Sequence, residues 1–162
     1  MTLADRLIVM NEGRFEQIGT PIQVYEQPAT TFVAGFIGSP AMNFLEAQTA
    51  EPHRLLLSGN VTLELESEHK HLLDYAGKTV LMGIRPEHLT VTTEDAARFG
   101  FQVDFIEALG ADTVVHGAIE KEGPPLTIRV PGVMKVARGD LLPMTFEPRH
   151  LHLFDPETRQ RI

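Results

Sequence analysis

From Met42 onward the chain is cut into short runs rich in Leu, Val, Ile, Thr and Phe, separated by Gly, Pro, Asn and Asp. Runs of this kind read as strands at Asn43–Thr49, Arg54–Leu57, Val61–Glu66, Thr79–Arg85, Thr90–Thr92, Gln102–Leu109, Asp112–Ile119, Leu126–Val130, Leu141–Glu147 and His150–Phe154. Many short strands at regular spacing restrict the fold to mainly β, as a small barrel or a sandwich. Glu94 to Arg98 reads as one helical turn. Leu109-Gly-Ala-Asp112 is so tight that its flanking strands must form a hairpin, with Gly110 at a positive φ or a bulge. No internal repeat or low-complexity segment is visible.

The chain before Met42 has a different texture. An apolar strand at Arg6–Met10 meets Asn11, Glu12 and Gly13, and a second alternation runs to Ile18, which predicts a hairpin. An isolated hairpin is marginal in water, so this one is an orphan expected to lean on a neighbouring sheet. A chain that opens in mid-strand reads as one that has lost its front. Thr20 is a candidate N-cap with Pro21 at the first helical position, and Ile22, Val24 and Tyr25 give that short helix an apolar side until Pro28. Thr30 or Thr31 can cap a second short helix, on which Phe32, Val33, Phe36 and Ile37 share one apolar face. Gly38, Ser39 and Pro40 close it. The expected organisation is therefore an appendage over 1–38 and a β domain over 39–162.

Charge narrows the function. Fourteen Lys and Arg against 22 Asp and Glu leave −8, and there is no Trp. Nucleic acid demands a cationic face, so it is not an expected partner. The chain has no Cys, which excludes disulfides and thiolate metal sites. No apolar run reaches the roughly 18 residues of a membrane span, so a membrane link has to run through a partner protein.

Gly77-Lys78-Thr79 has the end of a phosphate loop, but the first glycine of that motif falls on Leu72, and the stretch leads into a strand instead of a helix. A turn is the expected reading. The histidines are His53, His69, His71, His88, His116, His150 and His152. His150 and His152 share a face if their segment is a strand, yet two imidazoles without a third ligand make a poor zinc site. No Ser or Lys nucleophile has an activating neighbour, and no carboxylate pair stands out. No catalytic, cofactor or metal residue is therefore expected. Gly83–His88 is more pointed. Pro86 removes a ladder donor and holds Arg85 extended, so Arg85, Glu87 and His88 are displayed at a strand terminus, either to dock a neighbour or to form a local ion pair at a corner.

Three stretches carry a resemblance. Met1–Arg14, Phe32–Asn43 (Phe-Val-Ala-Gly-Phe-Ile-Gly-Ser-Pro-Ala-Met-Asn) and Gly83–His88 (Gly-Ile-Arg-Pro-Glu-His) resemble the sugar-importer branch of the ABC-class importer ATPases. Glu16-Gln-Ile-Gly-Thr-Pro21, Tyr75-Ala-Gly-Lys78, Leu109-Gly-Ala-Asp112 with His116-Gly117, and His150-Leu-His-Leu-Phe-Asp155 through Arg161 are closest to ATP-binding subunits for sn-glycerol 3-phosphate uptake, with a maltose or general oligosaccharide importer as the near alternative. The resemblance implies that 1–38 is the tail end of a nucleotide-binding domain and that 39–162 is an OB-like (TOBE) regulatory barrel. The family's phosphate loop, signature motif, Walker B carboxylates and switch histidine have no counterpart here. ATP and Mg would then belong to the intact subunit, and this chain would carry no ATPase activity.

The resemblance also implies a cytoplasmic location, peripheral on the inner face of the cell membrane. Its implied partners are a second copy of the subunit, membrane permease subunits reached through the nucleotide-binding domain, and a possible regulatory protein. The residues expected at interfaces are Phe32, Phe36, Ile37, Arg85, Glu87 and His88. Related barrels in oxyanion importers bind the oxyanion itself, so the other expectation is a small-ligand module, for an oxyanion or a sugar, which a pocket with converging backbone N–H groups or with Arg85, Arg129 and Arg138 would favour.

Overall fold

The computed structural model describes residues 4–50, 54–57, 61–65, 74–120 and 123–162. His53, His69 and His71, and the expectations resting on them, lie outside the described residues.

Strands β1 (Leu7–Asn11) and β2 (Arg14–Gly19) form the expected antiparallel hairpin. Its two-residue turn places Glu12 at φ 48° and Gly13 at φ 80°, the pattern whose twist matches paired strands. Cross-strand pairing sets Ile8 against Ile18 and Met10 against Phe15 on one exposed face, while Val9 is buried on the other. Helix α1 (Pro21–Glu26) opens on a complete capping box. The Thr20 side-chain oxygen accepts from the Gln23 N–H at 3.2 Å, and the Gln23 side-chain oxygen accepts from the Thr20 N–H at 3.0 Å.

Helix α2 (Thr31–Phe36) is capped by Thr30, whose Oγ1 accepts from the Val33 N–H at 3.3 Å. The single apolar face expected on α2 divides. Val33 is buried with Val9 and Val24, and Ile37 packs on that cluster. Phe32 and Phe36 turn outward and stack on each other at 5.8 Å. The narrow hairpin covers one i, i+4 pair of a six-residue helix, and the neighbouring pair is left outside.

The remainder forms two five-stranded antiparallel sheets. One has the order β12-β6-β3-β4-β5, from β3 (Asn43–Ala50), β4 (Arg54–Leu57), β5 (Thr62–Glu64), β6 (Thr79–Ile84) and β12 (His152–Phe154). The other has the order β10-β9-β8-β11-β7, from β7 (Thr90–Val91), β8 (Phe99–Ala108), β9 (Asp112–Ile119), β10 (Pro125–Pro131) and β11 (Leu141–Thr145). The protein is mainly β, and its sheet curls into a half-barrel of OB/TOBE type. The alternating residues Leu45, Ala47, Leu55 and Leu57 meet Phe101, Ile128 and Met144 in one core. Central strand β6 is buried on both sides: Val80, Met82 and Ile84 enter that core, while Leu81 faces away from it.

Two local expectations shift. The last strand begins at His152, because Pro148–His150 closes a 3₁₀ turn, so His150 and His152 do not share a strand face. Glu94–Ala96 is likewise a single 3₁₀ turn. The β8–β9 hairpin does place Gly110 at φ +85°, with Leu109 N–H donating to Asp112 O at 2.9 Å. A Cβ there meets nothing within 4 Å, so backbone strain alone decides the cost of adding one. Gly110→Val is expected to destabilise by about 1–3 kcal/mol. An unchanged melting temperature would show that the turn tolerates a β-branched residue at positive φ.

Leu81 turns towards a second cluster that joins the two parts of the chain. Ala34 of α2 packs with Met42, Leu81 and Phe154, and Phe44 lies against them. The segment after β12 then returns to the appendage. Thr30 bridges Gln160, Thr31 N–H donates to Arg159 O at 3.0 Å, and Arg161 N–H donates to Ala29 O at 2.9 Å.

Candidate functional site: the joint between helices and barrel

At the centre of this joint is Arg85, the residue that follows β6. Pro86 cannot continue the ladder, so the strand stops and a 3₁₀ turn (Pro86–His88) begins. The Arg85 side chain points inward and is 1% exposed. Nη1 donates to Ile37 O at 2.5 Å and Nη2 donates to Tyr25 O at 2.8 Å. Tyr25 lies in the last turn of α1, and Ile37 is the C-cap of α2. Both carbonyls belong to helix ends, where intrahelical donors run out and partial negative charge collects. One guanidinium therefore caps two helices and binds both to the end of β6.

The guanidinium also sits 3.8 Å from the centroid of the Tyr25 ring. Desolvation lowers its pKa to about 10, which still leaves it charged at neutral pH. Its Nε is buried without a hydrogen-bond partner among the described residues. Gly38 makes room for it: φ is +120°, and a Cβ at that position would fall 2.8 Å from Nη1.

Glu87 is exposed and accepts a hydrogen bond from the Tyr25 hydroxyl. It does not pair with Arg85; among the described residues Arg85 forms no ion pair, so the local pair expected at this corner is not formed. The His88 ring stacks on His150 at 3.8 Å between centroids. Burial first, then the neighbouring His150 and Arg85, push the His88 pKa down to about 4. His152, almost fully buried, is pushed down to about 3 by desolvation and then by Arg161 and Arg85. These rings are neutral at physiological pH.

The structure thus brings Ile37, Arg85, Glu87 and His88 together inside one chain, through Tyr25. Phe32 and Phe36 stand apart on the outer face of α2. Tyr25 and the His88–His150 stack escaped the sequence reading. Tyr25 counted there only as part of an apolar helix side, and no local pattern pairs residues so distant along the chain.

The three arginines whose convergence would favour a ligand module do not share a pocket. Arg85 serves the helix ends. Arg129 pairs with Asp112, its Nε at 3.1 Å, and donates to Ser39 O at 3.0 Å. Arg138 is exposed. At Gly77-Lys78, the backbone N–H groups that a phosphate loop would aim at phosphate are already used: Gly77 donates to Thr49 O at 3.1 Å, and Lys78 to Tyr75 O at 2.9 Å. Among the described residues no group of three or more His, Asp or Glu is arranged to hold a metal ion, and no helix is long and apolar enough to cross a membrane.

Comparison with known proteins agrees with this architecture. The MalK OB fold domain matches residues 38–89, and the TOBE domain matches residues 82–154. The chain is 44% identical over all of its 162 residues to the sn-glycerol-3-phosphate import ATP-binding protein UgpC of Paracoccus denitrificans, covering 44% of that protein. It is 41% identical over its full length to the Salmonella typhimurium protein of the same name, again covering 44%. The chain thus spans less than half the length of the curated relatives it matches. The solved structure of the cytoplasmic molybdate-binding protein ModG, with molybdate bound, is similar in fold, with a TM-score of 0.56 and 18% identity over 70% of this chain and 96% of that one. Half-barrel, domain matches and full-length similarity converge: the chain carries MalK OB fold and TOBE domains and is similar along its whole length to ABC importer ATP-binding subunits.

Proposed function

We propose that this chain is the regulatory and dimerisation part of an ATP-binding subunit that serves an importer of sn-glycerol 3-phosphate or sugars. The observation that carries the proposal is the unbroken similarity, across the whole chain, to import ATP-binding proteins of that name. In this role the intact subunit couples hydrolysis of ATP, with Mg, to solute uptake. The nucleotide engine lies in sequence other than these residues, which bind neither ATP nor Mg. The subunit works in the cytoplasm, peripheral on the inner face of the membrane, and reaches permease subunits through its nucleotide-binding domain. Its first partner is a second copy of itself, and a regulatory protein is the second.

The joint supplies the mechanics. Because Arg85 holds both helix ends against β6, an orientation imposed on the barrels is passed to the appendage. Paired barrels raise the effective concentration of the attached domains for each other. A regulator that prefers one arrangement shifts the cycle by its differential affinity. The apolar face of Ile8, Met10, Phe15 and Ile18, together with Phe32 and Phe36, offers area worth about 25 cal/mol per Å² when covered.

The test is the mass of the chain in solution, with ATP binding measured on the same sample. A homodimer without saturable ATP binding is expected. A dimer that survives Phe15→Glu and Phe36→Glu is built by barrel faces, and one that dissociates is built by the appendage. A monomer at about tens of micromolar, a range in which stable dimers persist, would refute the dimerisation role.

A further inference from the structure

A cleft of ≈ 510 Å³ opens beside the joint, between the end of α1 and the turn that precedes β12. Its lining includes His88, His150, His152, Arg149 and Arg161, with Glu26 as its carboxylate. None of these groups is used by the Arg85 rivet. Arg161 forms no ion pair among the described residues, although its backbone is fixed in place by its bond to Ala29 O and its bridge to Phe154. Arg149 pairs with Glu147 at 2.7 Å, but both side chains are about two-thirds exposed, so water or a ligand can replace that contact. The inner wall is more telling. His152 is 5% exposed, and its Nδ1 has no hydrogen-bond partner; the Nδ1 of His88 is buried in the same condition. Buried ring nitrogens without a protein partner are uncommon, and both rings belong to the wall of this cleft.

The field in the cleft has a sign. The groups that act on His152 by charge are Arg161, Arg85, His88 and His150, and all of them disfavour its proton. Around His88, Arg85, Arg149 and His150 act in the same direction, and Glu147 alone opposes them. Glu26 lies at the α1 side, and Glu87 is engaged by the Tyr25 hydroxyl. In a chain of net charge −8, the fixed charges on the wall of this cleft are Arg149 and Arg161 against Glu26.

We propose that the cleft lined by His88, His150, His152, Arg149 and Arg161 binds a tetrahedral oxyanion dianion, of the phosphate or phosphomonoester class. Arg161 and Arg149 supply fixed positive charge and planar donors. The His88 and His152 rings supply further donors, and a bound dianion draws protons onto them. Binding is therefore linked to proton uptake, and it strengthens as pH falls. Glu26 repels the anion and limits affinity. An occupied cleft fastens Tyr25–Gln27, at the end of α1, to the turn before β12. The proposal stands on the cleft alone and does not need the importer role.

Titration calorimetry on the full chain tests it, with sulfate, inorganic phosphate, sn-glycerol 3-phosphate and uncharged glycerol as probes. Sulfate keeps its charge over the useful range, so its pH dependence reports on the protein. Saturable sulfate binding that tightens several-fold from about pH 7.5 to about pH 6, with proton uptake seen by comparing buffers of different ionisation heat, is the expected result. Arg161→Gln and Arg149→Gln are each expected to weaken it by about tenfold or more while the melting temperature without ligand stays unchanged. Glycerol 3-phosphate binding more tightly than phosphate assigns the site to phosphomonoesters, and equal affinity assigns it to the free oxyanion. No saturable binding of any anion up to about 10 mM, affinity unaffected by both arginine variants, or binding of glycerol alone would overturn the proposal.

Discussion

Replacing Arg85 with methionine is expected to lower stability by about 3 kcal/mol, from two buried carbonyls that lose their donors at about 1–3 kcal/mol each. For a chain of this size, that is a fall in melting temperature of roughly 6–12 °C. One term opposes it. Arg85 is a desolvated cation without a counter-ion among the described residues, and methionine removes that cost. The carbonyls win because both end short helices that have no other way to satisfy them, and because the stacking on Tyr25 is lost as well. Arg85→Lys should recover only part of the loss, since an ammonium lacks the planar fork that reaches Tyr25 O and Ile37 O together. Hydrogen exchange localises the effect: Val24, Gln27, Ala34 and Ile37 amides, which close the two helices, should lose protection before the barrel does. A variant that melts like the parent, with both helices still protected, would show that apolar packing around Ala34 and Phe154 holds the joint without Arg85.

Acid should weaken the fold before the carboxylates titrate. His152 is held neutral down to about pH 3 when folded, against an ordinary value near 6.5. Between those two values the unfolded chain binds the extra proton, so stability falls as pH drops below about 6.5 and stops falling below the folded value. The slope for one such group is about 1.4 kcal/mol per pH unit, which amounts to about 2 kcal/mol by pH 5. His88, depressed to about 4 and only partly buried, adds in the same direction. Denaturant melts of the parent and of His152→Asn at several pH values isolate the contribution. The variant should be less stable at neutral pH but flatter in its pH response by one proton. Parallel slopes would show that His152 is not the neutral buried group described here.

Local chemistry made much of the fold legible. Thr20-Pro21 announces the first helix because cap and first helical position are adjacent, and Asn11-Glu12-Gly13 and Leu109–Asp112 announce their turns just as locally. The strand runs were visible as apolar alternation, with edges moving where a proline or a 3₁₀ turn intervened, as at Pro148. The site was half legible. Pro86 says that a strand stops and that Arg85 is displayed, but nothing local says towards what. Arg85 turned inward because its acceptors lie 48 and 60 positions earlier. The pairing of His88 with His150 has the same origin. On α2, periodicity identified four apolar residues correctly, yet only the width of the hairpin beneath decided that Val33 and Ile37 go in while Phe32 and Phe36 stay out.

The pairing of Ala29–Thr31 with Arg159–Arg161 has a consequence for how the protein is made. A ribosome releases the hairpin and both helices before Phe154 and Gln160 are translated. Until they are, Ala29, Thr31 and Ala34 lack the partners that Phe154 and Arg159–Arg161 supply. The joint closes only once Phe154 and Arg159–Arg161 have emerged, so it assembles after the strands that precede them, and a message stalled before Phe154 would leave it open.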